Sequence, residues 1–155
     1  ARYIKSFTAK LSQSNNQAKD YYSILKNYVL SYKKANSRVS WNYDSINVGR
    51  NKILKFVIRG KTLCVYYNIN ADELDSKYKI EKAIGKKYKS VPSLYRIKNN
   101  RRCKYAKELI DQIMTKINAK KDKELNDEYR IPYEETSILI SKGLIKESKG
   151  KHCFE

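Results

Sequence analysis

The stretch from Arg38 to Ile69, RVSWNYDSINVGRNKILKFVIRGKTLCVYYNI, decides the fold class. Val39, Trp41 and Tyr43 alternate with Arg38, Ser40, Asn42 and Asp44. Leu54, Phe56 and Ile58 alternate with Lys55, Val57 and Arg59, and Leu63, Val65, Tyr67 and Ile69 keep the same period. Successive side chains leave a strand on opposite faces, so a period of two marks a half-buried strand. Asn47-Val48-Gly49-Arg50-Asn51 and Arg59-Gly60-Lys61 supply short glycine-bearing connections. The stretch predicts a three-stranded antiparallel meander.

On its N-terminal side, Phe7, Ala9 and Leu11 alternate with Thr8 and Lys10, which predicts a short first strand. Ser12-Gln13-Ser14-Asn15-Asn16 offers turn and capping chemistry, and Ala18, Tyr22, Leu25, Val29 and Tyr32 then fall at helical spacing. A helix is expected over residues 17–35. On the C-terminal side, Asn70 to Leu74 predicts one helical turn with acids at its positive end. Residues 76–92 are rich in lysine, show no period and end at Pro92, whereas Ser93 to Lys98 is strand-like.

Asn99 or Asn100 caps the clearest amphipathic helix, residues 101–118, whose stripe is Cys103, Ala106, Leu109 or Ile110, Ile113 and Ile117. Residues 120–131 are charged and unpatterned, as a linker would be. Pro132, Glu134, Glu135 and Gly143 give sensible ends to a short helix that Leu139, Ile140, Leu144 and Ile145 dock onto the body. The tail from Lys146 is expected to fray. The expected architecture is α+β: an antiparallel sheet, three-stranded meander plus one or two further strands, packed against two main helices. Residues 1–119 form the domain, 120–131 link, and 132–155 add the short helix and a basic tail docking on the same domain.

A chain of 155 residues buries a core without metals or disulfides. Its longest apolar runs, such as Phe56-Val57-Ile58 and Ser137-Ile138-Leu139-Ile140, are far too short to span a bilayer. Ala1 to Ser6 turns polar without a signal-type apolar region, so a cytoplasmic protein with no membrane partner is expected. Cys64, Cys103 and Cys153 are odd in number, lack a C-x-x-C pair and have only His152 nearby, which speaks against a disulfide framework or a zinc site. Cys64 and Cys103 sit in apolar patterns and read as small buried hydrophobes. No cofactor is expected.

Charge is the strongest signal. Lys and Arg number 34 against 16 Asp and Glu, a formal net charge of +18. An AT-rich coding sequence accounts for abundant Lys, Asn, Ile and Tyr, but it is equally compatible with Asp and Glu. The imbalance between the signs therefore carries the information. It predicts a positive potential that attracts phosphate backbones, anionic membrane or an acidic partner.

Several stretches resemble a bacterial domain family of unassigned activity: Arg2 to Leu11 (RYIKSFTAKL), Lys19 to Asn27 (KDYYSILKN), Ser37 to Trp41 (SRVSW), Val57 to Val65 (VIRGKTLCV), and the strand and helix from Arg96 to Ile113. The resemblance covers most of residues 2–118 and implies a small unit, often one module of a larger protein. The order helix, β-meander, strand, helix more distantly resembles small domains associated with restriction and defence systems. A fold-level likeness does not transfer a function.

Catalytic constellations are missing. His152 has no nucleophile to serve, a metal-dependent nuclease needs paired acids where residues 50–69 have none, and Asp44 stands alone. No phosphate-binding glycine loop occurs among five glycines. A non-catalytic module is expected. Nucleic-acid binding needs cations along the phosphate path, helped by aromatics that stack bases. With Leu54, Phe56 and Ile58 facing the core, Lys55 and Arg59 face outward, beside Arg38 and Asn42 on one flank and Tyr66 and Asn68 on the other. Arg101, Arg102 and Lys104 stand in the first turn of the long helix with Lys98 just before it. There they oppose the helix dipole and favour a bound anion. The expected partner is nucleic acid, DNA or RNA. The competing expectation is an acidic protein partner, with the chain as regulator or inhibitor of a nucleic-acid enzyme.

Overall fold

Two glycines make the tight corners at the centre of the sheet. The structure, a computed structural model, describes residues 2–148. Gly49 at φ 58° and Gly60 at φ 64° each take the first of two central turn positions, a left-handed conformation that a side chain disfavours. They join β3 (Asp44–Val48) to β4 (Asn51–Arg59) and β4 to β5 (Thr62–Tyr67). The expected meander is present and is one strand longer. The run read as a single strand over 38–44 is broken: β2 (Ala35–Val39) ends, the chain turns through Ser40 to Tyr43, and β3 begins. The turn is closed by Ser40 N–H donating to the Tyr43 carbonyl at 2.8 Å. Two further strands, β6 (Glu81–Lys82) and β7 (Ser93–Arg96), complete a six-stranded antiparallel sheet of order β2-β3-β4-β5-β7-β6.

The run from Phe7 is a helix, α1 (Phe7–Ser12), and not the expected strand. Ser6 caps it, its Oγ accepting from Ala9 N–H at 3.1 Å. Both sides of this short helix are buried, which produces an alternating pattern without a strand. Phe7 and Leu11, one turn apart, enter the main core, while Ala9 meets Leu139 and Ile145 in a second cluster. The first strand is β1 (Arg2–Lys5), antiparallel to β8 (Ile145–Ser148). The tail expected to fray is therefore ordered as far as Ser148; the remainder, with His152 and Cys153, lies outside the described residues.

Helices α2 (Asn16–Leu30) and α3 (Asn100–Lys116) cover one face of the sheet. Asn15 and Asn99 cap them, each side chain accepting a backbone N–H of the first turn, from Ala18 at 2.8 Å and from Arg102 at 2.9 Å. Tyr22, Leu25 and Val29 of α2 and Ala106, Leu109, Ile110 and Ile113 of α3 close over Ile46, Leu54, Phe56, Ile58, Val65, Tyr67 and Tyr95. α2 stops at Leu30, short of the expected residue 35, and Lys34 at φ 66° turns the chain into β2.

One polar knot lies inside this packing. Asp44 is fully buried and accepts from Tyr22 Oη at 2.6 Å and Ser37 Oγ at 2.5 Å, with Lys26 Nζ at 2.9 Å. Burial, and then the Asp44 carboxylate, hold the Tyr22 phenol far above its ordinary range.

Residues 120–131 carry no helix or strand, yet they are laced to α2. Asn27 presents its side-chain amide as a strand edge would: Nδ2 donates to the Asp127 carbonyl at 2.9 Å and Oδ1 accepts from Asp127 N–H at 2.8 Å. Tyr129 lies over the Lys26 ammonium at 4.6 Å. Farther on, Ser12 Oγ donates to the Pro132 carbonyl and accepts from Glu134 N–H, both at 2.9 Å. The short helix α4 (Thr136–Ser141) starts later than the expected Pro132 and ends at Gly143, φ 75°. Among the described residues no helix is long and apolar enough to cross a membrane.

Candidate nucleic-acid interface

The second face of the sheet carries the candidate site. Strand pairing aligns Arg38 with Ser45, Ser45 with Lys55, Lys55 with Tyr66, Tyr66 with Leu94 and Leu94 with Glu81, one cross-strand row through all six strands. Arg38, Lys55 and Tyr66 thus share a face, as the alternation predicts. Their exposure differs from the expectation. The lysine-rich segment before Pro92 folds back over this face, and Val57, Cys64, Tyr66, Val91 and Leu94 form a second small core with Tyr43, Ala83 and Tyr88.

Tyr66 is consequently no base-stacking platform. It is 2% exposed and its ring already stacks on Tyr88, centroids 3.9 Å apart and planes 4° from parallel. Burial, followed by its neighbour Tyr88, pushes its phenol up to about 12, so it stays neutral and accepts a hydrogen bond from Arg59 Nη1 at 3.2 Å. Lys55 is also withdrawn from solvent: its ammonium sits over the Tyr43 ring at 4.1 Å and donates to the Lys87 carbonyl at 3.4 Å. These two outward-facing positions line the site from beneath. Arg38 and Arg59 are exposed.

Three adjoining depressions cross this side of the molecule. Arg38, Lys52 and Lys55 line the first, with Tyr43 at its border. The second, of about 630 Å³, begins at the same Tyr43 and takes in Lys10, Arg59, Lys82, Lys87 and Arg96. Lys10 and Asn42 carry over into the third, which adds Arg2, Lys5, Tyr3 and Trp41. Among the described residues, Glu81 is the one acid lining the three. It is matched by Arg96, whose Nε and Nη2 donate to its two oxygens at 2.8 and 3.2 Å. That hydrogen bonding, with the charges of Arg96, Lys98 and Arg102, holds the Glu81 carboxyl below its ordinary range. Among the described residues, the remaining cations of the band have no carboxylate within salt-bridge distance, apart from Lys82 at 3.7 Å from Asp72, both strongly exposed.

The start of α3 lies at one end of this band, where Lys98 and Arg102 reach the field of Glu81. The four cations expected there divide. Arg102 is held by the protein: its Nη1 donates to the Arg96 carbonyl at 3.0 Å and its guanidinium covers the Tyr95 ring at 4.8 Å. Lys98, Arg101 and Lys104 are exposed. Asn99 satisfies the Arg102 N–H.

Asp44 faces the helical side in its pair with Lys26, away from the band. Cys64 and Cys103 are buried, and burial pushes both thiols up, away from the reactive thiolate. Among the described residues no group of three or more His, Cys, Asp or Glu is placed to hold a metal ion.

Lys10, Lys52, Lys82, Lys87, Arg96 and Trp41 join the site without having been singled out from the sequence. A lysine in a chain this basic carries little positional information. Only the fold-back of residues 81–92 shows which lysines share a surface. No protein-family model, curated protein or solved structure matches the chain.

Proposed function

We propose that this domain is a non-catalytic module that binds nucleic acid through the phosphate backbone. The observation that supports this is the continuous cation-lined band across the outer side of the sheet, in which Glu81 is the one acid and is already matched by Arg96. Phosphates placed along such a band replace condensed counterions, and the released ions drive association without any base being read. The band is broad and shallow, suited to a polymer that crosses it. Its polar side chains, among them Asn42 and Ser45, hydrogen-bond to phosphate and sugar oxygens.

Fluorescence anisotropy with labelled DNA and RNA oligonucleotides of mixed sequence, from low to moderate salt, tests the proposal. The expected result is binding with little sequence preference and a log affinity that falls linearly with log salt. Absence of binding at low salt overturns it. So does an acidic protein that co-purifies with the domain after nuclease treatment while nucleic acid fails to bind.

A further inference from the structure

The third depression differs from the other two in its aromatics. Trp41, the chain's one tryptophan, lines it with Arg2, Lys10 and the 51% exposed Ile4, while the Lys5 ammonium is turned to Gln13 Oε1 at 2.8 Å. No acid lines it. The Lys146 ammonium sits over the Trp41 ring at 4.7 Å. β1 and β8 hold this arrangement, pairing Ile4 with Lys146 and Tyr3 with Glu147, and Phe7 N–H donates to the Trp41 carbonyl at 2.6 Å. An indole in a cation-rich hollow is poorly used by a duplex, whose bases are stacked on one another and out of reach. It matches a single strand, whose unstacked bases lie against aromatic rings while its phosphates meet the cations.

We infer that the domain takes single-stranded nucleic acid, with one base stacked on Trp41 and its neighbouring phosphates on Arg2 and Lys10. This rests on the nucleic-acid function proposed above and names the class of strand. The base takes the place over the indole that Lys146 covers. Lys146, on its flexible four-carbon stem, moves to an adjacent phosphate. Contact is sequence-tolerant because every base offers a π-face.

With a single tryptophan in the chain, its fluorescence reports this contact directly. The native chain is titrated with a short oligo-dT, with inorganic polyphosphate and with a mixed-sequence duplex, and binding is followed in parallel by anisotropy competition. The inference expects strong quenching by oligo-dT. Polyphosphate and duplex are expected to bind without quenching, and polyphosphate leaves emission unchanged or higher as it draws Lys146 off the ring. Binding of all three without quenching by oligo-dT overturns the stacking while leaving phosphate binding in place. No binding of any of them overturns both. Trp41→Ala serves as the second measurement. Trp41→Ala is expected to weaken oligo-dT binding about 5- to 100-fold. Its log-salt slope and its polyphosphate affinity stay unchanged, because no phosphate contact is lost. Equal losses for oligo-dT and polyphosphate in this variant contradict base stacking.

Discussion

Replacing Asp44 by asparagine keeps the shape of the side chain and removes one charge from the interior. In the native chain the carboxylate accepts from Tyr22, Ser37 and Lys26 at 2.6, 2.5 and 2.9 Å, with Asp44 fully buried and the Lys26 side chain 8% exposed. Removing one partner of a buried ion pair costs about 3–5 kcal/mol, mostly because the other charge is left uncompensated. Lys26 keeps the Tyr22 hydroxyl as an acceptor at 3.0 Å and the Tyr129 ring at 4.6 Å, which places the loss near the lower end, about 3 kcal/mol. For a chain of this size the melting temperature falls by roughly 6–12 °C. Urea unfolding followed by circular dichroism is the assay, with the midpoint moving at constant m. Adding Lys26→Met removes the stranded ammonium, so Asp44→Asn with Lys26→Met is expected to be more stable than Asp44→Asn alone by at least about 1 kcal/mol. A single-variant loss below about 1 kcal/mol, or a double variant no better than the single one, refutes the account of the knot.

Further outcomes follow from local geometry. Arg101→Gln is expected to leave stability equal or higher by about 0.3–1 kcal/mol, because it removes a cation from a helix start. Arg102→Gln instead lowers the unfolding midpoint, since it removes the hydrogen bond to the Arg96 carbonyl and the contact over Tyr95. Asn27→Ala deletes both hydrogen bonds to Asp127, and limited proteolysis within residues 120–131 is expected to accelerate, with a stability loss of about 1–3 kcal/mol. Glu81 has a depressed folded pKa, so its small surface contribution to stability is present above the ordinary glutamate value near ~4.3 and is lost as pH falls through the lower folded value. Protonation also removes the band's one acid. Polyanion affinity at fixed salt is expected to rise over that window in the native chain, and Glu81→Gln, measured by anisotropy, starts tighter and lacks this step.

The fold class, the meander's two glycine turns, both long helices and the Asn99 cap were legible because hydrophobic periodicity and turn chemistry act locally. The misread segments are those where a period arises for another reason. Phe7, Ala9 and Leu11 alternate because α1 is buried on two sides, between the main core and the cluster of Leu139 and Ile145. Val39, Trp41 and Tyr43 alternate straight through a turn. The site was legible only in its sign and in the shared face of Arg38, Lys55 and Tyr66. Val91, Tyr88 and Ala83, scattered among lysines, gave no warning that they cover Lys55 and Tyr66. Asp44 seemed isolated because its partner Lys26 sits on a helix that only tertiary packing brings alongside.

The salt dependence of oligonucleotide binding in two matched triple variants tests the central claim most directly. Arg59→Gln, Lys82→Gln and Lys87→Gln together neutralise exposed cations of the band, while Lys33→Gln, Lys120→Gln and Lys123→Gln remove the same charge around the end of α2 and the segment laced to it. With each contacted phosphate contributing about 0.7 to the slope for a single strand, the band variant is expected to lose roughly 2 from the slope of log affinity against log salt, and the other variant to keep the native slope. Equal slopes in the two variants contradict the band as the binding surface.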